Sequence, residues 1–113
     1  MKVVTDQIGP VAVVRVSEPR LTYSLLPGFS STVTDLLAHG ERQFLIDLAP
    51  VAYLDSAAIG CLMDLFRQIN HAGGRLKLSG VQRRVQALLT LTGTQHFIEI
   101  HADESSAIDS FGA

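Results

Sequence analysis

The chain has 113 residues, a formal net charge of −2 and a hydrophobic fraction of 47%. That apolar content is ample for a core and argues against disorder, while the small negative charge offers no electrostatic footprint for nucleic acid. One cysteine, Cys61, excludes an internal disulfide and fits a reducing compartment.

The first residues are not expected to form a secretory leader, because Asp6 and Pro10 interrupt the first apolar stretch. No apolar run approaches the roughly 18 to 20 residues that span a bilayer. The expectation is one soluble, cytoplasmic domain over residues 1–113, without membrane insertion, as a monomer or weak dimer.

Val3-Val4 and the run 11–16 flank Gly9-Pro10, which reads as an N-terminal β-hairpin. Residues 17–23 read as loop, since Pro19 cannot donate to a ladder. Leu26, Phe29, Val33, Leu36 and Leu37 recur at helical spacing, with Ser24 as a candidate N-cap, Pro27 in the first turn and Gly40 as the stop. Residues 44–48, mostly apolar without a break, fit a strand covered on both faces. Ile59, Leu62, Met63, Phe66 and Ile69 then form a second helical stripe, closed by Gly73-Gly74. A strand at 76–78 and a helix through Val81, Val85, Leu88 and Leu89 follow, ending at Gly93. A short strand at 97–100 precedes a last helix, capped by Asp103 and carrying Ala107, Ile108 and Phe111. The alternation predicts an α/β fold: a mixed, mostly parallel sheet of four to five strands, about four helices and the N-terminal β-hairpin.

The most informative segment joins strand to helix as Tyr53-Leu54-Asp55-Ser56-Ala57-Ala58-Ile59-Gly60. A helix start leaves N–H groups unpaired, and its dipole favours negative charge. Asp55 suits the N-cap, and Ser56 follows it among small residues. A phosphate on Ser56 would add about −1.5 to −2 charge beside Asp55 and change what can dock against the small side chains. The same residues can also be read as a helix cap and nothing more, although no Glu or Gln completes a capping box.

Apolar strand, Asp-Ser, small residues, Ile-Gly, apolar helix, Gly-Gly, strand, Val-x-x-Leu-Leu and Thr-Gly together resemble a STAS domain. The matching pieces are 45–48, 54–60, 73–78, 85–89 and Thr92-Gly93, and the resemblance runs from about Val11 to Phe111. It is strongest to the single-domain bacterial anti-sigma factor antagonists. It implies a STAS-like fold and a non-enzymatic binding protein with no cofactor of its own. The implied partner is an anti-sigma factor that is also a serine kinase, with a serine phosphatase reversing the modification. It implies Ser56 as the phosphorylation site and Asp55, Ser56, Ala57, Ala58, Ile59 and Gly60 as the partner-binding segment, to which Arg20 is added as a further candidate partner-binding residue. The chain departs from the family's usual pattern at Ala57-Ala58 and at Arg20, where an Asp is common. Arg20 is therefore read two ways, as a partner to a phosphate on Ser56 or as a solvated loop arginine. The departures also motivate an alternative function, a constitutive accessory subunit of an ATP-driven lipid transporter or of a sensory scaffold.

The remaining chemistry-bearing residues suggest no catalysis. His39, His71, His96 and His101 lack metal-ligand spacing, and Cys61 reads as a core thiol. Arg83-Arg84 reads as a solvated face or as a contact for an acidic partner. Ser56 lacks the Gly-x-Ser-x-Gly setting of an esterase nucleophile.

Overall fold

The computed structural model describes residues 3–112. Strands β1 (Val3–Ile8) and β2 (Val11–Val16) pair antiparallel across a turn in which Gly9 takes φ +57°, the left-handed conformation that glycine adopts without a Cβ penalty. β2 then pairs parallel with β4 (Gln43–Asp47), β4 with β6 (Arg75–Ser79), and β6 with β7 (Glu99–His101). The resulting five-stranded sheet has the order β1-β2-β4-β6-β7. The expected fold class, a mixed and mostly parallel sheet opened by a hairpin, is what the chain adopts.

The described residues form four α-helices: α1 (Leu26–Ala38), α2 (Ser56–His71), α3 (Arg83–Leu91) and α4 (Glu104–Ser110). Helices α1 to α3 pack on one sheet face, where Phe29, Val33, Leu62, Leu65, Ile69, Val85 and Leu89 meet Val14, Phe44, Ile46 and Leu78 in the main core. The other face is covered by α4, whose Ala107, with Phe111 just beyond it, sits over Val11, Val13 and Leu45. Burial on both faces explains the unbroken apolar run in β4.

Several local expectations are corrected. The segment read as loop contains β3 (Arg20–Leu21), which pairs parallel with β5 (Tyr53–Leu54) in a second, two-stranded sheet. The Pro19 carbonyl accepts from the N–H groups of Ala52 at 2.8 Å and Tyr53 at 3.2 Å, so the proline enters this pairing as an acceptor. Helix α1 starts with Leu25 at the cap position and no side-chain cap bond, so Ser24 does not cap it; Pro27 lies in its first turn as expected. The α2 stripe is shifted: Ala58, Leu62, Leu65 and Ile69 are buried, while Ile59, Met63 and Phe66 lie half-buried at its border. The expected strand at 97–100 starts later, after a 3₁₀ turn (Thr94–His96) that leaves Phe97 60% exposed.

At the end of α2 the two glycines have different roles. Gly73 takes φ +84° and closes the helix. Gly74 is buried, and a Cβ there would collide with the Arg42 carbonyl. The N–H of Arg75 donates to that same carbonyl at 2.8 Å, which registers β6 beside β4.

Candidate functional site

The site begins where β5 hands over to α2. Asp55 has extended backbone (φ −91°, ψ 174°) and is the N-cap. Its Oδ1 accepts from the Ala58 N–H at 2.8 Å, and its Oδ2 accepts from the Tyr23 N–H at 3.0 Å. One carboxylate thus starts the helix and pins the segment between β3 and α1. The N–H groups of Ala58 and Ile59 bond back to the Asp55 carbonyl, whereas those of Ser56 and Ala57 precede the first intrahelical bond.

Because Asp55 carries the cap, the Ser56 hydroxyl is not needed for it. Ser56, Ala57 and Gly60 are exposed, and Ser56 and Gly60, four residues apart, share one face of the first turn. A Cβ on Gly60 would meet nothing within 4 Å, so the surface there is open to close approach. Ile59 is half-buried against the core rim. Ala58 is corrected: it is 0% exposed, and its methyl group packs into the main core, not into a docking surface. The helical phase held the signal for this, since Ala58 lies four residues before Leu62 on the inward face.

Arg20 is exposed, as a solvated arginine would be, but it is a strand residue and not a loop residue. It lies on β3 opposite Tyr53, with its guanidinium 4.5 Å from the centre of the Tyr53 ring. Tyr53 is 37% exposed and Tyr23 is 73% exposed, so two tyrosines and an arginine flank the small-residue turn. Neither tyrosine is assigned a role by the sequence, although Tyr53 opens the strand-to-helix segment. Tyr23 carries no local signal, because only the fold brings it to Asp55, 32 residues away.

Other candidates are placed elsewhere. Cys61 lies half-buried where α1 meets α2, and burial pushes its thiol up despite a hydrogen bond with Ser30. His39 Nδ1 lies 2.7 Å from the Asp35 carbonyl, and His101 Nε2 lies 3.1 Å from Glu99. Among the described residues, no group of three or more His, Cys, Asp and Glu could hold a metal ion. Arg83 and Arg84 are exposed at the start of α3. No helix among the described residues is long and apolar enough to cross a membrane.

The chain thus folds as an open, mixed α/β sheet with an N-terminal hairpin, and its capped second helix presents a serine among small residues. A family model described as the STAS domain matches residues 2–107, and the chain belongs to that family. It is similar to the anti-sigma-B factor antagonist of Bacillus subtilis, 31% identical over 72 residues, which is 64% of this chain and 66% of that relative's length. A solved anti-sigma factor antagonist from Mycobacterium paratuberculosis shares the fold with a TM-score of 0.86 at 18% identity, over 96% of this chain and 91% of the other. The Bacillus cell fate determinant SpoIIAA, solved in its phosphorylated form, shares it with a TM-score of 0.76 at 15% identity, over 96% and 98%.

Proposed function

We propose that this chain is an anti-sigma factor antagonist that docks on an anti-sigma factor serine kinase through Ser56, Ala57, Ile59 and Gly60, and is released when Ser56 is phosphorylated. The observation that carries this reading is the division of labour at the helix start: Asp55 makes the cap bond, and Ser56 stands exposed beside it. In the modification step, the bond between the terminal phosphorus of the kinase's nucleoside triphosphate and its bridging oxygen breaks as a P–O bond forms at Ser56 Oγ, the hydroxyl proton passes to a base of the kinase, and the nucleoside diphosphate leaves. The phosphate meets the unpaired N–H groups of the first turn and the favourable end of the helix dipole, so the fold tolerates it. A partner packed against bare Ser56 and Gly60 does not, because a doubly charged group would have to be stripped of water at the interface. The names of the relatives and the solved phosphorylated neighbour support the reading. The chain acts by binding rather than catalysis, and a serine phosphatase completes the cycle.

Calorimetric titration of the kinase with wild-type protein, Ser56→Ala and Ser56→Asp tests this. Wild type and Ser56→Ala bind alike, and Ser56→Asp binds some hundreds-fold more weakly, or about 3 to 4 kcal/mol. Equal binding of all three would reduce Asp55-Ser56 to a helix cap and move the function to constitutive assembly.

A further inference from the structure

We propose that Arg20, held on the Tyr53 ring, is the counter-ion of a phosphate on Ser56, an inference that rests on the docking reading above. The pairing of β3 with β5 sets Arg20 opposite Tyr53 and Leu21 opposite Leu54. It continues past the strands, as the Asp55 N–H donates to the Leu21 carbonyl at 3.4 Å and the Tyr23 N–H to Asp55 Oδ2. β3 therefore accompanies the chain up to the residue before Ser56. Ser56 lies three positions beyond Tyr53, at most about 10 Å along the chain, a reach that an arginine and a phosphoserine side chain can cover between them.

The contact with the ring suits the task. The guanidinium lies over the Tyr53 ring, 4.5 Å from its centre, and a cation–π contact uses its charge rather than its hydrogen-bond donors, which suit a bidentate grip on phosphate oxygens. Tyr53 thereby restricts the arginine before any phosphate arrives. The charge at the site also calls for it, since the phosphate would stand next to the Asp55 carboxylate, whose oxygens already accept from Ala58 and Tyr23. Without a cation, both negative groups would share one helix end. Arg20 offsets that repulsion and fixes the direction in which the phosphate points.

The test is the second ionisation of the phosphate itself. Phosphoserine is installed at position 56 during synthesis, so no kinase is required, and the phosphorus NMR shift is followed through pH 4 to 8. A nearby guanidinium stabilises the dianion, so the wild-type midpoint lies below that of Arg20→Gln by about 0.5 pH unit, a threefold change in proton concentration. Arg20→Lys, which keeps the charge without the planar fork, falls between them. Arg83→Gln, which removes an exposed arginine from α3, leaves the midpoint where it is, and about 0.5 M salt narrows the gap. Amide spectra check that each variant is folded. Equal midpoints for wild type and Arg20→Gln overturn the proposal, as does an Arg83→Gln shift as large as that of Arg20→Gln. Either result leaves the docking reading standing. A kinase indifferent to Ser56, with the midpoint shift intact, overturns the docking reading alone.

Discussion

Asp55 and Tyr23 are joined across 32 residues of sequence by a 3.0 Å bond from the Tyr23 N–H to Asp55 Oδ2, while Oδ1 of the same carboxylate caps α2 at Ala58. The residue before the candidate switch thus sets the start of one helix and the approach to another. Asp55→Ala removes both acceptors and costs about 2 kcal/mol of stability. Asp55→Asn keeps one oxygen for Ala58 but turns an NH₂ toward the Tyr23 N–H, and costs about 1 kcal/mol. Urea unfolding measures both. An alanine variant as stable as wild type would remove the carboxylate from its double role.

Two glycines predict opposite signs. Gly60 lies inside α2 with open space where a Cβ would go, so Gly60→Ala raises stability by about 0.5 to 1 kcal/mol through helix propensity. The added methyl group stands on the face shared with Ser56, so the same variant weakens binding to the kinase. Gly74→Ala drives its Cβ into the Arg42 carbonyl and toward Ile69, and lowers stability by about 2 kcal/mol. Denaturation midpoints for the pair settle the sign, and kinase titration of Gly60→Ala settles the face.

How much of this was legible in the sequence follows from how local each signal is. The sheet, the hairpin and the helices announced themselves through periodicity and glycine punctuation, because those patterns lie within a few residues. Asp55 and Asp103 were identifiable as caps, and both accept from an N–H three residues on, at Ala58 and Ser106. β3 was not visible: two residues cannot show an alternation, and their pairing depends on β5, more than thirty residues later. The stripe on α2 was drawn through Met63 and Phe66 instead of Leu65, because the helix borders apolar neighbours that half-bury its flanks. Composition could not separate Ala57, exposed, from Ala58, buried; only the phase set by Leu62 does so. At the site, Asp55 and Ser56 stand together in sequence, whereas the bond from Tyr23 to Asp55 and the Arg20–Tyr53 contact exist only once the chain has folded.

The short helix α4 is held at its end by two cations. Lys77, 3% exposed, donates from Nζ to the Ser110 carbonyl at 3.0 Å and to Ser110 Oγ at 2.8 Å, and Arg75 donates to the Phe111 carbonyl at 2.8 Å. Both also lie against the Phe111 ring. Seven residues make a helix too short to persist alone, so these bonds to its last carbonyls decide whether it stays docked. Lys77→Met removes the Nζ bonds while keeping the apolar stem. Amides 107–112 then exchange at least about tenfold faster, equivalent to roughly 1.4 kcal/mol of local stability, while those of β4 change far less. Uniform acceleration across the chain would mean that Lys77 supports the whole fold, not α4.

The other end of α4 carries a pH dependence with a definite sign. Arg15 grips Glu104 with two bonds of 2.8 Å, and Asp47 lies beside Arg15 in register on β4. The Arg15 hydrogen bonds hold the Glu104 carboxyl below its ordinary range. Asp47 is pushed above its ordinary range, first by burial and also by its hydrogen bond with Glu104, against the Ala49 N–H that donates to Oδ1 at 2.9 Å. When the pair takes up a single proton, the opposite directions of the two shifts favour Asp47 as its site, facing the Glu104 carboxylate. A raised acid contributes stability that is complete below its unfolded-state value and is lost as pH rises through its folded-state value. A lowered acid does the reverse: its contribution is present above the unfolded-state value and disappears as pH falls through the folded-state value. Asp47→Asn keeps an acceptor for Ala49 and a donor for Glu104 without needing a proton, so it matches wild type near pH 4 and exceeds it at pH 7. Glu104→Gln loses the charged pair with Arg15, so its deficit is greatest at pH 7 and shrinks in acid. Urea midpoints of the three proteins between pH 3.5 and 7.5 should separate in opposite directions as pH rises. An Asp47→Asn curve parallel to wild type would place the shared proton elsewhere.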